Sequence, residues 1–98
     1  MSFKIIVSPI AQKDLETAYL YYKNEANIKI AKKFLKAIKD VYKTLKLNPF
    51  YQLKTKDYRA YPIKKFPYII VFQIDENLST IVILSVFNTY QNPIKYQH

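Results

Sequence analysis

The sequence predicts an α+β fold in which an antiparallel-rich, twisted sheet carries an N-terminal helical hairpin on one face. Three observations predict it. Two segments in the first half repeat apolar residues at helical spacing, and the C-terminal third holds long β-branched and aromatic runs broken by short polar turns. A further short strand pattern, Phe3-Lys4-Ile5-Ile6-Val7, precedes the helices, so the element order is β-α-α-β-β-β.

Each element has a local reason. Ser8-Pro9 supplies an N-cap and first-turn proline, and Ile10, Ala11, Leu15, Ala18, Tyr19 and Tyr22 then recur at helical spacing for about four turns. Asn24-Glu25-Ala26-Asn27 breaks that helix. A second, cleaner stripe runs through Ala31, Phe34, Leu35, Ile38, Val41, Tyr42 and Leu45 until Asn48-Pro49 stops it. Residues 50–57 read as a polar loop. Arg59 to Lys65 reads as one basic strand, Phe66 to Asp75 as an apolar one, and Thr80 to Phe87 as its hairpin partner across Glu76-Asn77, with Asn88 to Pro93 closing the strand and Ile94 to His98 as a tail.

Ninety-eight residues make one domain, 1–98, with a single core, and 50% apolar residues suffice to fold it. The chain has no cysteine, which excludes disulfides, thiolate nucleophiles and cysteine-held zinc. It has no glycine either, so phosphate-cradling loops of the usual kind cannot be built and no nucleotide cofactor is expected. The single histidine is the last residue, His98, a poor place for a general base. No apolar run approaches the roughly 18 residues of a membrane span, and Met1-Ser2-Phe3-Lys4 leads into a strand pattern rather than a signal peptide, so a cytoplasmic protein without a membrane partner is expected.

Sixteen lysines and arginines against seven acids give a net charge of +9, a field that attracts phosphate backbones, acidic membranes or acidic proteins. Arg59 is the only arginine. Its planar, permanently charged fork makes it the basic residue to follow. Seven lysines, Lys29, Lys32, Lys33, Lys36, Lys39, Lys43 and Lys46, fall on the polar face of the second helix, which reads first as a solvated face, with a nucleic-acid contact as the alternative. Tyr19, Tyr22 and Tyr42 fall on buried stripes, whereas Tyr58, Tyr61, Tyr90 and Tyr96 are open to either packing or stacking. Arg59 also has an ordinary structural alternative, pairing with Asp57 or Asp75 to pin a strand end.

The order of elements resembles the RelE/ParE superfamily of toxins from type II toxin–antitoxin systems, a group that includes plasmid stabilisation proteins. The residues that carry the resemblance are the opening Ser8-Pro9-Ile10-Ala11-Gln12-Lys13-Asp14-Leu15, the Arg59-led strand, Lys64-Lys65-Phe66-Pro67-Tyr68-Ile69-Ile70 and the closing Phe87-Asn88-Thr89-Tyr90-Gln91-Asn92-Pro93. The resemblance implies growth inhibition, a cognate antitoxin and one of two targets. RelE-like members cleave mRNA on the ribosome; ParE-like members inhibit DNA gyrase without bond-breaking of their own.

Carried over by position, the resemblance implies Arg59 at the start of the second strand on the concave surface, with Lys54 and Lys56 in the loop before it. With Tyr90, these are the candidate catalytic residues for an RNase. The implied target-binding set is Arg59, Lys64, Lys65, Asn88, Gln91 and Tyr96. The chain departs from the family where many relatives close on a histidine and an arginine, because Asn88 and Gln91 stand at those positions. Both are neutral amides, which favours ParE-like inhibition, with the ribosome-dependent endoribonuclease and an inactivated antitoxin-binding module as alternatives. No metal site is expected, and the partner should be acidic and amphipathic, folding as it docks.

Overall fold

A computed structural model of the chain describes residues 3–50 and 58–89. Six elements follow in the expected order: β1 (Lys4–Val7), α1 (Pro9–Glu25), α2 (Ile28–Leu47), β2 (Arg59–Pro62), β3 (Tyr68–Asp75) and β4 (Thr80–Asn88). The four strands form one sheet in the order β1-β4-β3-β2, parallel between β1 and β4 and antiparallel elsewhere.

The helix ends are set by local chemistry. Ser8 caps α1 by accepting the Ala11 N–H at 3.1 Å, with Pro9 in the first turn. Asn27 caps α2 by accepting the Ile30 N–H at 2.9 Å, so the break falls at Ala26-Asn27. At the far end the Asn48 N–H donates to the Thr44 carbonyl, and Asn48 Oδ1 accepts the Phe50 N–H at 3.2 Å.

One face of the sheet packs against the helices. Phe34, Ile38, Val41 and Leu45 of α2 meet Tyr68, Ile70 and Phe72 of β3 and Ile81, Ile83 and Val86 of β4, with Ala11 and Ala18 letting α1 approach closely. Phe34 and Phe66 lie edge to face at 5.3 Å, and Tyr22 and Tyr68 complete the aromatic cluster around them. Tyr22 and Tyr42 are half-buried and packed on this core as expected, and Tyr19 is half-buried on α1.

Two details depart from the sequence reading. The stretch Arg59 to Lys65 is not one strand: β2 ends at Pro62, the hairpin closes through the Ile63 N–H to the Tyr68 carbonyl at 2.9 Å, and Lys64-Lys65 lie in the turn. Lys65 takes a left-handed conformation, φ 73°, which a strand residue cannot hold. The second detail is an irregularity in the β3–β4 ladder. Val71 faces Ser85 but Phe72 faces Ile83, leaving Leu84 as an extra residue on β4. Side chains of α1 and its cap serve the backbone there: the Ser8 hydroxyl donates to the Leu84 carbonyl at 3.0 Å, and Asp14 Oδ2 accepts the Val86 N–H at 3.0 Å. The motif residues Ser8 and Asp14 therefore tie helix to sheet.

Candidate functional site

Strand parity decides where Arg59 points. Arg59 pairs with Phe72 and Tyr61 with Ile70, and partners across a ladder share a face, so both side chains leave the sheet on the helix side. The guanidinium lies 5.5 Å from the centre of the Phe50 ring, within cation–π range, and Phe50 in turn meets Phe3 edge-on at 6.1 Å. Arg59 is half-buried, beside the exposed Phe50 just past the end of α2. Asp75 lies on the opposite face of β3, and its Oδ1 accepts the Leu78 N–H at 3.2 Å in the turn.

Asn88 ends β4 opposite Tyr68, also half-buried. Along β3, Phe72 and Tyr68 are four residues apart, about 13 Å, and β4 and β2 are two strand spacings of about 4.8 Å apart. Arg59 thus sits opposite the middle of β3 and Asn88 opposite its first residue, two strands apart, so their backbone positions are well separated. Lys54, Lys56, Tyr90, Gln91 and Tyr96 lie outside the described residues, as does Asp57.

Lys64 and Lys65 do share a site. They line a groove of about 470 Å³ between α2 and the β2–β3 hairpin, together with Lys33 and Lys36 of α2. Its floor is Ala37, Val41, Tyr61 and the edge of Phe66, and Asp40 is the one acid on its wall. Sequence reasoning passed over Lys33 and Lys36 because all seven α2 lysines share one polar face. Only the packing of the hairpin beside that face sets these two apart.

Two tyrosines, Tyr22 and Tyr42, are shifted away from proton chemistry near neutrality. Burial pushes the Tyr42 hydroxyl up to about 12, and its oxygen has no hydrogen-bond partner among the described residues. Burial, and then the neighbouring Tyr68 and Tyr21, raise Tyr22 to about 12 as well. Among the described residues no cluster of histidine, aspartate and glutamate offers a metal site, and no helix is long and apolar enough to cross a membrane.

The mixed four-stranded sheet under a helical hairpin, with a single arginine on its outer strand and a lysine-rimmed groove, defines a small basic α+β domain. Residues 5–93 match the model of the family described as ParE toxin of type II toxin–antitoxin system, parDE, and the chain belongs to that family. It is the toxin half of such a system by family. Solved structures agree on the fold. The chromosomal ParDE system of P. aeruginosa superposes with a TM-score of 0.75 at 19% identity, covering 89% of this chain and 96% of that one. A double-arginine mutant of the E. coli toxin RelE in its free state gives 0.66 at 12% identity, with 99% and 94% covered. The RelBE2 toxin–antitoxin complex of M. tuberculosis gives 0.58 at 16% identity, with 90% and 99% covered. A search of the curated proteins returns no match.

Proposed function

We propose that this toxin arrests growth by binding and inhibiting a protein target, DNA gyrase, in the ParE manner, and that a cognate antitoxin neutralises it by occupying its basic surface. The observation that carries the reading is the separation of Arg59 from Asn88. Transesterification of RNA needs a base and a cation on one phosphate within hydrogen-bond reach. Here the strand end carries an amide, and the arginine sits two strands over and about four residues further along the sheet, over an aromatic ring. Such a layout supports recognition by surface complementarity. The ParE family match and the toxin–antitoxin relatives support the antitoxin partner.

The test is direct. Purified chain added to gyrase and relaxed plasmid should block supercoiling, and the same chain added to translating ribosomes should leave transcripts whole. Cleaved transcripts with unimpaired supercoiling would replace this reading with the ribosome-dependent endoribonuclease. If neither assay responds and expression leaves growth unaffected, the chain is an antitoxin-binding module without target activity.

A further inference from the structure

We propose that the lysine face of α2 binds the phosphate backbone of duplex DNA, without regard to its sequence. The inference goes beyond the inhibition of a protein target and stands whichever target the toxin has.

The face is built as a stripe. Lys29, Lys32, Lys36, Lys39, Lys43 and Lys46 follow one another at alternating steps of three and four residues, and all are exposed. At about 1.5 Å per residue they form a line about 26 Å long, with a charge about every 5 Å, and Lys33 widens it. The spacing keeps them on the side of the helix opposite Phe34, Ile38, Val41 and Leu45, which pack into the core. Between Ile28 and Leu47 at its two ends, every exposed residue of α2 is a lysine except Asp40 and Thr44. Seven of the sixteen basic residues of the chain thus stand on one helix, against a single acid. The helix itself gains nothing from this pattern. Like charges at i and i+4, as in Lys29 with Lys33, Lys32 with Lys36 and Lys39 with Lys43, repel, and the first turn has no acid to meet the helix dipole. A polyanion laid along the stripe relieves that repulsion.

The surroundings of the stripe select duplex DNA among polyanions. A membrane surface would need α2 to bury its apolar face among lipids, and that face is packed on the sheet. An acidic protein would need apolar or aromatic anchors among the charges, because lysine alone makes a weak interface core, and the stripe has none between its ends. A single strand would need rings to stack on. The aromatics of α2, Phe34 and Tyr42, pack on the core side, and the exposed Tyr21 and Phe50 belong to α1 and to the chain beyond α2. Duplex RNA is gripped through its 2′-hydroxyls, and the one exposed hydroxyl of α2, on Thr44, donates to the Asp40 carbonyl at 3.2 Å. A straight row of point charges is matched by the rigid double helix of DNA, which carries a phosphate per about 1.7 Å of axis and so about fifteen over this length. With no arginine, asparagine or glutamine in α2, the guanidinium and amide groups that read base edges are missing, so the contact is to the backbone.

The experiment titrates a fluorescein-labelled duplex of about 20 base pairs with the full chain, read by anisotropy at salt from about 50 to 200 mM. The logarithm of the association constant should fall with that of the salt concentration, with a slope of about −0.9 for each phosphate neutralised. Lys32→Gln, Lys39→Gln and Lys43→Gln together should make the slope shallower by about 2–3 and weaken binding by about tenfold or more. The control set, Lys4→Gln, Lys13→Gln and Lys23→Gln, removes the same charge from β1 and α1. It should change the slope by less than about 1 and the affinity by no more than about threefold. Circular dichroism checks folding, and Lys39→Gln alone, with a slope change of about 1, stands in should the triple variant unfold. Equal changes in the stripe and control sets, or no binding by the parent chain at the lowest salt, overturn the proposal. So does tighter stripe-dependent binding to oligothymidylate, to duplex RNA or to phosphatidylserine vesicles than to the DNA duplex. Supercoiling is scored in a separate assay: failure to inhibit it sinks the gyrase reading and leaves the stripe standing, whereas inhibition without stripe-dependent DNA binding sinks the stripe alone.

Discussion

Asp14, on the second turn of α1, accepts a hydrogen bond from the Val86 backbone N–H at 3.0 Å, across 72 positions of sequence. Val86 lies two residues past the extra residue Leu84 of β4, and it is buried, so this donor stands close to an interrupted ladder. A carboxylate from the helix supplies the acceptor. Leaving a buried N–H unpaired costs about 1–3 kcal/mol.

Asp14→Ala should therefore destabilise the chain by about 1–3 kcal/mol, lowering the thermal midpoint by about 4–8 °C per kcal/mol for a domain of this size. Asp14→Asn keeps a carbonyl acceptor and should lose less. Thermal unfolding followed by circular dichroism checks both, and equal midpoints for parent and alanine variant would refute the contact's role.

Lys65 at φ 73° tests the turn. A β-branched side chain fits the left-handed region worst and asparagine well, so Lys65→Val should cost about 1–2 kcal/mol while Lys65→Asn stays within about 0.5 kcal/mol of the parent. Urea unfolding midpoints decide it.

Tyr42→Phe should stabilise the fold by about 1 kcal/mol, because it removes a buried hydroxyl without a partner and leaves the ring in place. It should also alter alkaline unfolding. With the folded value near 12 and the unfolded one near 10, the neutral phenol favours the native state fully below pH 10, and that contribution is lost as pH rises from 10 through 12. A stability profile across that window should fall less steeply for Tyr42→Phe than for the parent.

Arg59→Ala should abolish growth arrest, and loss of its partly exposed cation–π contact alone should cost about 0.5–1 kcal/mol. Arg59→Lys tests the planar fork against bare charge. Growth curves on induction, paired with thermal melts, check the outcome; arrest that persists in Arg59→Ala would remove this residue from the target surface.

Much of the fold was legible because its signals are local. Ser8-Pro9, Asn27 and Asn48-Pro49 each mark a helix end through bonds made within a few residues, and the α2 stripe names the residues that end up against β3. The face of Arg59 was not legible. It depends on whether an odd or even residue of β2 meets Phe72, a register fixed only when the hairpin closes. The turn hid for a related reason: in a chain without glycine the left-handed position falls on Lys65, and nothing in its residue type announces it. The groove lysines are distinguished from Lys29 and Lys32 solely by what packs beside them.

The parallel pairing of β1 with β4, Lys4 beside Thr80, makes the first strand wait for nearly the last. A ribosome making this chain releases the helical hairpin long before the sheet that covers it exists, and closing so long a loop is the slow part of assembly. The first strand therefore has no partner until β4 is made, and losing β4 to premature termination strips both β1 and β3 of a neighbour at once.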